Sequence, residues 1–358
     1  MTLGGKKLES GVIRPSEKDN LIRWRPESSG RGHVESYFIK WNLPHDESSQ
    51  EDAPQYTAFW LKFTILQRDG HRPAIGEVWA IAFDTNTMQH VAEKVTFSRA
   101  DWEWENDVFF LRFGDSEIGQ GISNGRIEGK RKTIQWDIRW SPRTYGVRHL
   151  PHDWMYSGAF PRNKMTTPHP DARISGSVDI SGTKITFKDA AGMQGHNWGV
   201  AHPQGWQWAH TSILEGKGRG IFEAVTGRVA VAGMTLPPAT LIYLEYDGEP
   251  ILINGLFTAF ISRSEFSGFA WKISGNNSDY RIEAELRAEP EDFVGVNYQN
   301  PDGTIMRCLN SKIASAKILF SKKEEGQWVL IDELTALRTA AFEIGKFGDS
   351  LGVPIRIP

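Results

Sequence analysis

The chain has 358 residues, with 41 Lys+Arg against 44 Asp+Glu, a net charge of −3, 39% hydrophobic and 24% charged residues. This exceeds the ~100–200 residues of one ordinary domain and predicts two similar-sized units, with one oversized β-domain as the alternative. Scattered charge gives no electrostatic footprint for nucleic acid, no apolar run reaches the ~18–20 residues of a transmembrane helix, and the single cysteine, Cys308, excludes an internal disulfide or thiolate metal cluster.

In chain order, MTLGGKKLESGV has two lysines with no apolar segment behind them, so no secretory signal is expected and the cytoplasm is the default compartment. Residues 41–56 are acidic and read as a mobile loop. FWLKFTI (59–65), EVWAIAFD (77–84) and VFFLRF (108–113) read as strands. SRADWEWEND (98–107) is expected to make a helical turn or two capped by Ser98. In TIQWDIRW (133–140), Ile134, Trp136, Ile138 and Trp140 share one face and polar residues the other. TTPHPD (166–171) reads as a surface connection, and GSVDISGTKITF (176–187) as a hairpin turning at Ser181-Gly182.

A domain boundary is expected between 165 and 195, giving units 1–185 and 186–358. GKGRG (216–220) lacks the G-x-x-x-x-G-K-[ST] phosphate-loop pattern and reads as a hairpin turn. RIEAELRAE (281–289) alternates as a strand, PEDFVGV (290–296) suggests another short helical turn, and AKILF (316–320) with WVLIDEL (328–334) another hairpin. Turn spacings of roughly 8–12 residues suit antiparallel sandwiches or barrels. Neither helical stretch is long enough for a parallel crossover. Cys308 reads as a small buried hydrophobe.

The stretch GMQGHNWGVAHPQGWQWAH (192–210) concentrates Trp, His and Gly in a chain with 14 Trp and 10 His. If 205–214 is extended, Trp206, Trp208 and His210 share a face, while Gly192, Gly195 and Gly199 permit positive φ or close approach around His196, Asn197 and Trp198. This predicts an aromatic wall with orienting polar groups; the alternative is a solid core. His196, His202 and His210, with His149 and His152, lack the spacing of a zinc hydrolase, and no metal is expected.

FPRNK (160–164), QGHNWG (194–199) and W-x-W-x-H (206–210), with ESYFIKWNLP (35–44), AFWLKFTI (58–65) and CLNSKIASAKI (308–318), resemble the tandem lipocalin-like superfamily of carotenoid 1,2-hydratase, tocopherol cyclase, AttH-like proteins and fungal Diels–Alderases. The resemblance implies an all-β fold of two lipocalin-like antiparallel β-barrel domains packed together, with few short helices and an apolar cavity at or between them. It implies no metal and no redox cofactor. It also implies a hydratase, cyclase or isomerase acting on an isoprenoid, steroid or polyketide-like molecule.

Protonating an alkene requires an acid. Glu35, Glu223 and Asp153, each among apolar or aromatic neighbours, are candidates for carboxyls kept protonated by burial. His196 or His210 is a candidate to hold water or take the final proton. Trp198, Trp206 and Trp208 are candidates for cation stabilisation; Asn197, Tyr37 and Tyr156 complete the ligand-binding set. The rival reading is a carrier of a hydrophobic ligand with no chemistry. Oligomeric state is left open.

Overall fold

The computed structural model describes residues 2–3, 6–7, 13–14, 16–26, 30–44, 53–70, 72–141, 145–158, 160–228, 230–231, 234–346, 348 and 350–358. Strand accounts for 63% of the protein and helix for 6%, arranged as a nearly closed barrel and a half-barrel. The barrel runs in the order Val91–Phe97, Ile75–Asp84, Tyr56–Gln67, His33–Asn42, Thr183–Gly199, Asn163–Ile180, Thr133–Trp140, Ile122–Glu128, Ser116–Gly119, Phe110–Phe113 and Trp102–Trp104. The half-barrel runs Glu249–Ile253, Ala239–Tyr246, Gly220–Gly227, Gly205–Thr211, Gln327–Lys346, Ile305–Glu324, Tyr280–Arg287, Ala270–Asn276 and Arg263–Ser267. The chain leaves the first sheet at Gly199 and enters the second at Gly205.

Alternating residues form these strands because one face finds a core. Ile134, Trp136, Ile138 and Trp140 are buried while Gln135, Asp137 and Arg139 are exposed, each large apolar side chain contributing about 1.5–3 kcal/mol by leaving water. Ser181 and Gly182 take φ of 51° and 97°, the positive values a two-residue hairpin turn needs. Glu325-Gly326 turns the Ile305–Glu324/Gln327–Lys346 hairpin in the same way. Cys308 is buried. Residues 45–52 of the expected loop at 41–56 lie outside the described residues; Trp41 and Asn42 end one strand and Tyr56 opens the next.

Three expectations change. TTPHPD is no surface connection but a buried part of the strand Asn163–Ile180. Pro168 and Pro170 are tolerated there because the ladder is already broken between Thr166 and His169 and between His169 and Ala172, where no backbone N–H is required. The helical turn after Ser98 is one 3-10 turn, Arg99–Asp101, and Ser98 Oγ bonds the Asp101 carboxylate rather than capping backbone; Trp102 then turns inward against Trp24 and Phe113 and starts a strand. Likewise Pro290–Asp292 is a 3-10 turn that gives way to the strand Val294–Gln299.

Each sheet encloses its own apolar cluster, and a third, formed by Phe38, Trp60, Trp79, Met193, Trp206, Trp208, Val296, Tyr298 and Cys308 among others, joins the two. Gly195 allows the joint to close: a Cβ there would lie 2.3 Å from the Phe38 ring.

Candidate active site between the two sheets

At this joint lies a cavity of about 200 Å³. The first sheet supplies Ser36, Phe38, Trp60, Lys62, Met165 and Asn197; the second supplies Trp206, Trp208, Val225, Leu241, Tyr298 and Glu343. His149, Leu150 and Met155 close one side, and Leu256, Ala259 and Phe260 of the helix Leu256–Ile261 another. Leu256 and Phe260 are exposed as well as lining, so they mark its mouth. Mostly apolar walls with few polar groups make this cavity the candidate site.

His149 is oriented from behind. Its Nε2 lies 3.2 Å from Thr167 Oγ1 and 3.3 Å from Glu223 Oε2. Thr167 Oγ1 spends its own proton on Glu223 Oε1 at 2.9 Å, so it accepts from His149 Nε2–H. Nδ1 is left with no hydrogen-bond partner among the described residues and is available to the cavity. Glu223 Oε1 also accepts from Trp208 Nε1 at 2.9 Å. Burial alone would raise the Glu223 carboxyl; His149, His210 and the Trp208 N–H outweigh it and bring it down to about 2. Glu223 is therefore ionised, not the protonated acid expected from its apolar neighbours, and it stands behind the cavity wall.

Glu35 departs from expectation in the same way. Its Oε1 accepts from the Arg23 amide (2.8 Å), Tyr37 Oη (2.7 Å) and His196 Nε2 (2.9 Å); its Oε2 accepts from the Trp24 amide (2.7 Å) and His33 Nε2 (2.9 Å). Burial opposes ionisation, but bonds from His196 and His33 hold the carboxyl below the usual range. Nδ1 of His196 meets the Asp19 carbonyl at 2.6 Å, so both ring nitrogens face acceptors. It is stacked between Tyr37 (4.2 Å) and Trp198 (4.6 Å). Glu35, Tyr37, His196 and Trp198 thus form a buried hydrogen-bonded and stacked anchor and do not line the cavity.

His210 Nε2 donates to the Pro170 carbonyl at 2.8 Å; burial first, then Lys40, pushes it down to about 3, so the ring is neutral. It is core. Asp153 is solvent-exposed at 59% and pairs with Arg148 at 3.3 Å. Tyr156 accepts the Leu150 amide at 2.8 Å and packs on Trp198. None of these three lines the cavity. Asn197, Trp206 and Trp208 do, and Asn197 Oδ1 is buried without a partner among the described residues.

Sequence reasoning weighed His149 and His202 only as metal ligands and missed Lys62, Tyr298 and Glu343. One signal for Lys62 was present: in FWLKFTI it is the charged member of an otherwise apolar strand. His202 stacks on Tyr298 (5.4 Å), donates from Nδ1 to Asn300 Oδ1 (2.8 Å), and is pushed down to about 4 by burial and by Lys62. Glu343 is committed to Lys312 (2.9 Å) and Asn310 (3.1 Å). Among the described residues no group of three or more His, Cys, Asp or Glu side chains is placed to hold a metal ion. No described helix is long and apolar enough to cross a membrane.

Fold and cavity together define a β-protein with an apolar-lined cavity between two sheets. Residues 115–346 match the tocopherol cyclase-like family, and the chain belongs to it. It is 24% identical over 178 residues to the probable chloroplastic tocopherol cyclase of Oryza sativa subsp. japonica, covering 48% of this chain and 37% of that protein. It is 22% identical over 179 residues to the chloroplastic tocopherol cyclase of Zea mays, covering 48% and 36%. The matched stretch thus spans little more than a third of those relatives. Among solved structures, Pseudomonas aeruginosa OccK8 (OprE) is similar at 7% identity and a TM-score of 0.18, covering 89% of this chain and 98% of that one, too remote to bear on fold or function.

Proposed function

We propose that this chain binds a prenylated, hydroxyl-bearing amphiphile in the inter-sheet cavity and closes a ring on it by acid–base chemistry, with His149 moving the proton. The observation that carries the reading is the His149–Glu223 pair: a histidine that lines an apolar cavity, its Nε2 tied to a buried carboxylate and Thr167 (3.3 and 3.2 Å) and its Nδ1 open. With the ionised Glu223 beside Nε2–H, the ring's Nδ1–H delivers its proton to one alkene carbon. The substrate hydroxyl oxygen attacks the other, forming the C–O bond, and its own proton returns to Nδ1. The sum is an isomerisation, so atoms and electrons balance with no oxidant or reductant. Phe38, Trp206 and Trp208 exclude water that would otherwise capture the cation. Tocopherol cyclase relatives support a ring closure on an isoprenoid-like chain.

The test is turnover of a prenylated hydroquinone in D2O. The product has the substrate's composition but carries one non-exchangeable deuterium, and His149→Gln abolishes its formation while ligand binding persists. Unchanged turnover in His149→Gln defeats the proposal. A carrier role is the second reading: Glu35, His196, His210 and Asp153 are all engaged within the protein. Tight binding of the hydroquinone with no ring closure in the wild type decides for carriage.

A further inference from the structure

Among the lysines buried at the joint, Lys62 is treated differently from its neighbours. Lys40 donates to Asn42 Oδ1 (3.2 Å), Lys312 to Glu343 (2.9 Å) and Lys164 to the Pro161 carbonyl (2.6 Å). Lys62, which lines the cavity and is 6% exposed, has no hydrogen bond or ion pair among the described residues. Its Nζ instead meets ring faces, Tyr298 at 3.6 Å, Trp79 at 5.6 Å and Trp60 at 5.9 Å. Ring faces offset only part of the cost of desolvating an ammonium, and three N–H donors are left unused. The carboxylate lining the same cavity, Glu343, is already spent on Lys312 and Asn310. The register extends the polar surface: Lys62 pairs with Phe38 and Phe38 with Gly195, so Lys62 and Asn197 lie on one face, two strands apart, with Asn197 Oδ1 also unpartnered among the described residues.

We infer that Lys62 binds the anionic oxygen of the ligand's headgroup, a carboxylate or phenolate, while its aromatic cage holds the ammonium in place. This rests on the cavity being the ligand site. Burial draws the Lys62 ammonium down to about 8, with Glu343, Cys308 and Glu77 opposing, so the cation persists at neutral pH and an incoming anion stabilises it.

The test compares farnesoic acid with methyl farnesoate by quenching of tryptophan fluorescence. These two isoprenoids differ in headgroup charge. The wild type is expected to bind the acid about tenfold more tightly or better. Lys62→Met should abolish that preference while ester affinity stays within about twofold. A Lys62 that merely glues Tyr298 to the first sheet would not alter acid-against-ester discrimination. Equal binding of acid and ester by the wild type, or a preference that survives in Lys62→Met, overturns the inference and leaves the cavity reading standing. Binding of neither overturns both.

Discussion

Glu223 and His149 meet across the joint: the carboxylate comes from the half-barrel strand Gly220–Gly227, the imidazole from the segment after the barrel's Gly146–Arg148, and Oε2 and Nε2 stand 3.3 Å apart. A pair assembled from both sheets exists only when the sheets are docked, which ties proton transfer to the fold of the whole chain.

Replacing that carboxylate by its amide separates charge from shape. Glu223→Gln can still accept from Thr167 and Trp208, but it no longer places a negative charge beside His149 Nε2. Turnover of the prenylated hydroquinone should fall about 10–100-fold, the usual size of such an orienting contact, with ligand affinity changed less than about threefold. Single-turnover kinetics beside fluorescence titration separates the two. An affinity loss as large as the rate loss would make Glu223 a packing residue.

Acid stability follows from the buried groups. His202 and His210 are held neutral, down to about 4 and 3, so the stability their neutral forms allow is complete above the ordinary histidine value of about 6.5 and drains as pH falls below it. Glu223, down to about 2, and Glu35, also lowered, contribute stability that is full above the ordinary value near 4.5 and lost as pH drops toward their folded values. For Glu223 alone this is roughly 3 kcal/mol. Urea midpoints should therefore decline gently from about pH 6.5 and steeply below about 4.5. Glu35→Gln should flatten the second fall; a curve flat down to pH 3 would refute the assignment.

Strand alternation was readable wherever one face stays wet, as at 133–140 and 281–289, where burial alternates. It failed at 190–199, where nearly every residue is buried on both faces, so nothing in the pattern tells which face meets a cavity. His196 and Asn197 are sequence neighbours on opposite faces, one in the barrel's anchor and one lining the cavity. The ionised state of Glu35 was equally hidden, because part of its ligation comes from His196, 161 residues away. Apolar neighbours in sequence suggested a raised carboxyl; donors distant in sequence reversed it.

His210 tests that distinction directly. Because its Nε2–H is committed to Pro170 and its ring lies outside the cavity, His210→Ala should leave turnover within about threefold while costing roughly 2–4 kcal/mol from the void and the orphaned carbonyl. Asp153→Asn, at an exposed surface pair, should change stability by less than about 0.5 kcal/mol. Chemical denaturation and the hydroquinone assay read both, and a His210→Ala enzyme that folds fully but is inactive would return this residue to the mechanism.

The shape of the cavity depends on a glycine behind its wall. Gly345 pairs with Trp206, and a Cβ there would lie 2.2 Å from the indole, a distance at which the ring must move. Tyr298 and His202 stack parallel to Trp206, at 6.3 and 6.0 Å, so the displaced indole has the cavity as its free direction. Gly345→Ala should weaken farnesoate binding about tenfold or more and cost about 1–3 kcal/mol through overpacking, with an altered near-ultraviolet dichroism from the displaced indole. Gly227→Ala is the matched control: it lines the same cavity, but its added Cβ meets nothing within 4 Å, and both affinity and stability should hold. If Gly345→Ala binds like the wild type, Trp206 yields away from the cavity and is not a wall that shapes the ligand.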